Sequence, residues 1–169
     1  SGDAGIARDH VNLFQLIADA IHIFHYQAKA KGIRVKIFAD PQIPIHLIGS
    51  SSHINEVLLN MLGNAVKFTD HGEISLSVCV MTKTERVVDV GFEIADTGCG
   101  ISEKDLSRIF EPFMQADQSK TRRHDGTGLG TSFSREILRL MGGEISIDSK
   151  LGKGTTVRFN VPFERPELR

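Results

Sequence analysis

Residues 53–67 (HINEVLLNMLGNAVK) constrain this chain more than any other segment. Ile54, Val57, Leu58, Met61, Leu62 and Ala65 recur at three- and four-residue spacing, the stripe of an amphipathic helix. A stripe of this kind must be buried against a second layer. The chain supplies one. Residues 73–82 and 86–95 alternate apolar and polar at the period of strands, and the polar TKTE between them reads as a four-residue hairpin loop.

The other segments extend the same plan. Residues 11–31 carry Leu13, Leu16, Ile17, Ile21, Phe24 and Ala28 at helical spacing, with Lys29 and Lys31 at the end and Gly32 as the stop. Residues 33–39 read as a strand, broken by Asp40-Pro41 and Pro44. Ser50–Ser52 offers a cap to the central helix, and Ser102 caps a short helix ending near Phe110–Pro112. A helix over 129–141 stops at Gly142-Gly143, and strands at 144–149 and 155–161 follow. Helices and strands mix without a βαβ repeat. The expected fold is an α+β two-layer sandwich: a mostly antiparallel sheet of about five strands with three helices on one face. Residues 1–10 read as a flexible leader and 164–169 as a tail around one domain, 11–163. Ser1-Gly2 resembles a cloning remnant, so the chain reads as a piece of something larger.

Composition removes several function classes. Twenty Lys and Arg against 21 Asp and Glu leave a formal net charge of −1, without the basic excess of a general nucleic-acid binder. Two cysteines, Cys79 and Cys99, form neither a disulfide framework nor a metal cluster. No apolar run reaches the length of a membrane span.

What remains is a polar pattern around glycine. Gly98/Gly100, Gly126/Gly128/Gly130 and Gly152/Gly154 are three separated clusters, and the middle one opens into a helix. A helix N-terminus with free N–H groups is an anion site, and Lys120, Arg122 and Arg123 precede this one. The pattern suggests a polyphosphate, with three ordinary turns as the plain alternative. GTGLG is neither a P-loop nor the dinucleotide fingerprint. Residues 114–128 show no period, as in a lid or binding loop. Asn60 and Asn64 stand one turn apart beside the apolar stripe. Asparagine competes for backbone hydrogen bonds within a helix, so this pair suggests a cleft. An Asn carbonyl suits Mg²⁺, with waters and phosphate oxygens completing the shell; two exposed or internally bonded asparagines are the alternative. Lys67 could reach a phosphate from the same side. Asp96 enters the first glycine loop as a half-buried carboxylate that needs donors, which an adenine amino group, a water or a backbone N–H would supply.

From about residue 12 to 163 the chain resembles the ATP-binding catalytic domain of sensor histidine kinases, within the gyrase, Hsp90 and MutL-type ATPase superfamily. HINEVLLNMLGNAVKFT (53–69) resembles the asparagine box, DTGCGI (96–101) the first glycine box, FEPF (110–113) the phenylalanine box and GTGLG (126–130) the second glycine box. The FEPFMQAD form is most similar to hybrid kinases, whose partners include receiver domains.

The resemblance implies Asn64 as the Mg²⁺ ligand, with Asn60 on the same helix face and Lys67 at the phosphates. Asp96 would read adenine, with Gly98, Gly100 and Ile101 beside the base. Gly126, Thr127, Gly128, Leu129 and Gly130 would wrap the β- and γ-phosphates. Phe110 and Phe113 would pack at the hinge of a lid over 114–127, Arg122 and Arg123 would contact phosphate, and Thr155 would belong to the trailing glycine turn. ATP and Mg²⁺ are the implied cofactors. The implied partners are a histidine-bearing dimerisation domain and a receiver domain, in a cytoplasmic domain whose parent is compatible with an inner-membrane anchor. No nucleic acid and no direct membrane contact is implied, and the isolated domain is expected to be monomeric.

Three features qualify the resemblance. Hydrolysing members carry a glutamate base one turn before the magnesium asparagine, whereas Asn60 stands there, and an amide cannot take a proton from water. His124-Asp125 replaces the usual glycine before Gly126, and Thr131, Ser132 and Phe133 depart from the usual continuation. No histidine has the context of the phosphoacceptor motif; His10, His22 and His25 are the early ones, and the last two read as residues of the first helix. The fragment is therefore expected not to autophosphorylate. The competing readings are a degenerate nucleotide-binding module acting through protein contacts and a hydrolase of the same superfamily.

Overall fold

The structure is a computed structural model that describes residues 6–112 and 129–167. Its elements are β1 (Asp9–Val11), α1 (Leu13–Ala30), β2 (Ile33–Ala39), β3 (Leu47–Gly49), α2 (Ser51–Phe68), β4 (Gly72–Lys83), β5 (Val87–Asp96), α3 (Glu103–Leu106), α4 (Leu129–Leu140), β6 (Ile145–Lys150) and β7 (Gly154–Glu164).

The strands form one mixed sheet in the order β1-β3-β7-β5-β4-β2, with β6 paired to β7. Only β2 and β4 run parallel; the other pairs are antiparallel. The two-layer sandwich expected from the sequence is present, with seven strands among the described residues rather than about five. The additional strands, β1 and β3, have three residues each. That is too short to display a period, and β1 takes residues assigned to the leader. Glu164, assigned to the tail, is the last residue of β7 and pairs with both Ile48 and Val87.

One sheet face carries the core. Ile74, Leu76 and Val78 of β4, Val88, Val90, Phe92 and Ile94 of β5, and Val157, Phe159, Val161 and Phe163 of β7 are buried. Val57, Leu58, Met61 and Leu62 of α2 belong to the same cluster. The Phe92 and Phe159 rings stack at 4.7 Å between centroids. On the opposite face Arg158 pairs with Glu93 and Asp148 across three strands, as expected of a solvated antiparallel surface. No described helix is long and apolar enough to cross a membrane.

Local chemistry sets the boundaries. Asn12 caps α1 by accepting the Gln15 N–H, so the helix begins two residues later than the period alone suggests. Ser50 occupies the N-cap of α2 by its backbone, but its hydroxyl bonds His53 Nδ1 at 2.6 Å instead of a helix N–H. The β4–β5 loop has three residues, 84–86, because Lys83 still pairs with Val88 beyond a bulge at Val80/Thr82. The Ser102 hydroxyl accepts the Asp105 N–H, as expected, but the helix it starts is shorter, Glu103–Leu106. Helix α4 runs unbroken through Thr131, Ser132 and Phe133.

The C-terminus of α2 is closed from outside. Lys31 Nζ, at the end of α1, donates to the carbonyls of Val66, Lys67 and Thr69 at 2.8, 3.2 and 3.2 Å. A helix leaves its last carbonyls unpaired and negative, and a lysine serves both needs. Replacing Lys31 with Met should cost about 1–3 kcal/mol, or roughly 3–10 °C in Tm for a domain of this size. A thermal melt equal to that of the parent would mean that water serves these carbonyls equally well.

Candidate functional site

Strand β5 ends at Asp96, directly opposite Thr155 of β7. Asp96 Oδ1 accepts the backbone N–H of Gly98 at 2.9 Å and of Thr155 at 3.2 Å. Oδ2 receives no hydrogen bond from the described residues, so it is available to a ligand N–H. Burial pushes the carboxyl pKa up, against the opposing effect of the two N–H donors.

The loop after Asp96 is held on both sides by backbone. Cys99 N–H donates to the Phe68 carbonyl at 3.1 Å, and Gly152 N–H donates to the Cys99 carbonyl at 2.7 Å. A Cβ at Gly98 would stand 2.4 Å from the Phe68 oxygen, and one at Gly100 2.1 Å from the Lys150 oxygen. Gly100 also has φ +72°. Glycine was expected here for close approach to a base. The structure adds a nearer reason, because the loop is wedged between the end of α2 and the β6–β7 turn. Ile101 N–H donates to Ser149 Oγ at 2.8 Å, and that hydroxyl also meets Thr155 Oγ1 at 2.8 Å.

The two asparagines separate into different tasks. Asn60 Nδ2 donates to the Gly130 carbonyl at 2.6 Å and to the buried Ser134 hydroxyl at 2.8 Å, tying α2 to the first turns of α4. A Cβ at Gly130 would lie 2.7 Å from Asn60 Oδ1. Asn60 is thus the internally bonded asparagine that sequence reasoning left as an alternative. The Asn64 side chain, one turn on and half-buried, makes no hydrogen bond among the described residues. Lys67 lies in the last turn of α2, with Nζ 5.7 Å from the centroid of the Phe68 ring.

Phe110 is half-buried beneath the Arg135 guanidinium. Phe113, Arg122, Arg123, Gly126, Thr127 and Gly128 lie outside the described residues, as does the Leu129 side chain. Sequence reasoning missed Ser134, Ser149 and Arg135. Ser134 was detectable, because a serine four residues past Gly130 on a helix faces the same way.

Residues 49–165 match the family described as histidine kinase-, DNA gyrase B-, and HSP90-like ATPase. The chain belongs to this family. It is 32% identical over 166 residues to hybrid signal transduction histidine kinase B of Dictyostelium discoideum, covering 98% of this chain and 8% of that protein. It is 34% identical over 146 residues to the signal transduction histidine-protein kinase BarA of Escherichia coli K12, covering 86% and 16%. It therefore spans a small part of these relatives. Among solved structures, full-length ShkA in complex with AMPPNP superposes with TM-score 0.78 at 28% identity, over 95% of this chain and 32% of that one. The nucleotide-free catalytic domain of histidine kinase ThkA gives 0.71 at 25%, over 92% and 95%. The domain is an ATP-binding domain of histidine-kinase type.

Asp96 yields a test with two opposed readouts. Asn at this position keeps an oxygen for the Gly98 and Thr155 N–H groups and removes a charge that burial disfavours. Because the folded pKa is raised, the ionised form costs stability above that pKa and the cost vanishes as the carboxyl protonates. Asp96→Asn should therefore stabilise the ligand-free domain by about 0.5–2 kcal/mol near neutral pH, and the gain should shrink as pH falls through the raised folded pKa and be gone below about pH 4, the ordinary carboxyl value. It should also weaken adenine-nucleotide binding by at least about tenfold, since an amide N–H replaces an acceptor. Denaturant titration and calorimetry read the two effects; loss of stability together with intact binding would refute this account of Asp96.

Proposed function

We propose that this domain binds ATP with Mg²⁺ and presents the γ-phosphate to a histidine on a separate helical dimerisation domain, in a two-component relay that includes a receiver domain. The observation that carries this reading is the division between the asparagines. Asn60 spends its amide on the start of α4, while Asn64 keeps a half-buried amide without a partner among the described residues. A half-buried amide that no described protein group occupies is open to a ligand, its carbonyl to a cation and its N–H groups to an acceptor.

The described residues fit the implied groups. Asp96 Oδ2 is an acceptor for the adenine amino group, and Gly130 has no room for a side chain. No group of three His, Cys, Asp or Glu side chains among the described residues could hold a metal. A single Asn64 carbonyl, with water and phosphate oxygens completing the shell, is the donor set that Mg²⁺ accepts. When bound, Mg²⁺ neutralises phosphate charge. Phosphoryl transfer asks mainly for positioning and charge stabilisation. Asp96 fixes the base, Asn60 holds the N-terminus of α4 against α2, and Lys67 adds positive charge at the end of α2. The slot of the hydrolytic base holds Asn60, whose amide is already committed to Gly130 and Ser134. That arrangement favours keeping the phosphate for a protein acceptor over transfer to water.

Calorimetric titration with ADP and a non-hydrolysable ATP analogue, with and without Mg²⁺, tests the reading. Binding should fall in the micromolar range, weaken by about tenfold or more without Mg²⁺, and weaken similarly in Asn64→Ala. ATP turnover by the isolated chain should stay below about 1 per second, whereas an added histidine-bearing domain should become labelled from γ-phosphate-labelled ATP. Absence of nucleotide binding at millimolar concentration would replace this reading with that of a protein-contact module.

A further inference from the structure

Arg135 stands apart from Arg108, which follows α3, from Arg139 of α4 and from Arg158 on the outer sheet face. Arg108 pairs with Glu111, Arg139 with Glu136, and Arg158 with two carboxylates. Arg135 pairs with none among the described residues. Its guanidinium carbon sits 4.6 Å from the centroid of the Phe110 ring, and its Nε is buried without a hydrogen-bond partner. A cation gains most from a ring face when it is out of water, and an orphaned Nε–H is expensive. Among the described residues, the arrangement is therefore built around the ring and not around a carboxylate.

Its place in the fold gives it a task. Phe110 follows α3 and Arg135 lies in the second turn of α4, so the contact ties the start of the phenylalanine segment to the helix that opens at the end of the second glycine box. Helical side chains lean toward the N-terminus of their helix, which directs the guanidinium to the first turn of α4. Asn60 fixes that turn from α2 through Gly130 and Ser134. The start of α4 is thus held from two directions, by an amide on one side and a cation over a ring on the other.

We propose that Arg135, acting through Phe110, is a positioning residue for the phosphate end of the nucleotide: the cation–ring contact sets the first turn of α4 at the height where phosphates are bound, and leaves the base site at Asp96 untouched. This rests on the nucleotide reading given above.

The experiment compares R135M, which keeps the apolar stem, with R135K, which keeps the cation, and F110L with F110Y, together with the double variant R135M/F110L. Calorimetry reads the Mg²⁺-bound ATP analogue, and a chemical-shift titration reads adenosine, which has no phosphate. R135M and F110L should each weaken the analogue by about 3- to 30-fold, the range of a desolvated cation–ring contact. Adenosine should bind within about twofold of the parent. The double variant should be no worse than the weaker single one, and R135K and F110Y should recover most of the loss. Equal losses for adenosine and analogue, additive single effects, or R135M matching the parent would each overturn the proposal. Hydrogen exchange at the Gly130–Ser134 amides of the nucleotide-free chain decides the contact even if no nucleotide binds. Exchange should quicken alike in R135M, F110L and the double variant and stay at the parental rate in R135K; unchanged exchange in R135M would refute the contact.

Discussion

The Asn60 carboxamide joins the two helices that must act together, reaching the Gly130 carbonyl and the Ser134 hydroxyl from α2. Its geometry depends on what lies on either side. Ile54, Val57, Leu58, Met61 and Leu62 bury α2 on the sheet and fix its height. Gly130 then allows α4 to approach until a side chain would overlap the amide oxygen. Neutral hydrogen bonds of this kind contribute modestly to net stability, about 1 kcal/mol each. Their larger effect is registry, because a slip of α4 would leave a buried serine hydroxyl and a peptide carbonyl unpaired. The apolar layer sets the distance between the helices and the amide sets their phase.

The loop that follows Asp96 is organised by the opposite means, a backbone wedge. The loop 96–101 runs between the C-terminus of α2 and the β6–β7 turn, bonded to both through Cys99. Side-chain volume is excluded at Gly98 and Gly100 by peptide oxygens, which cannot move aside as a flexible side chain could. The same loop brings the Gly98 N–H to Asp96 and holds the carboxylate through one oxygen only. Lys31 matters here at a distance. By serving the carbonyls of Val66, Lys67 and Thr69 it fixes the helix end against which the loop rests.

The elements legible in the sequence are those whose side chains repeat. The α2 stripe, the long β4 and β5 alternation and the Gly32 and Gly142 stops are all where the pattern puts them, and both glycines take positive φ. Strands β1 and β3 were invisible because three residues carry no period, and only pairing through Ile48 and Glu164 joins them to the sheet. The Ser50 side chain was misread for another reason. A serine before a helix normally caps it, but His53 one turn on competes for the same hydroxyl. By residue type and spacing alone Asn60 and Asn64 are equivalent, and in the sequence only the family resemblance told them apart. What separates them is the partner that α4 brings from seventy positions away. Tertiary partners of that range leave no local trace, and Arg135 with its ring belongs to the same class.

Polar satisfaction is distributed unevenly through the domain. Strand ladders and solvated ion pairs account for the sheet, while unanswered groups collect between α2, α4 and the first glycine loop. Among the described residues the buried ones are Arg135 Nε and the Thr69 hydroxyl, which stands 2.9 Å from where a Gly98 Cβ would be; the Asn64 amide and Asp96 Oδ2 have no protein partner there either but keep access to water. Folding gains nothing from such groups, and the two buried ones carry a desolvation cost without a compensating bond. A site that must meet charge on arrival gains a great deal, since dipoles already in place need not reorganise when the charge appears. The apolar layer of α2 and the sheet is what makes this tolerable: a core built from Leu58, Phe92, Phe159 and Phe163 supplies the burial against which these polar groups are held.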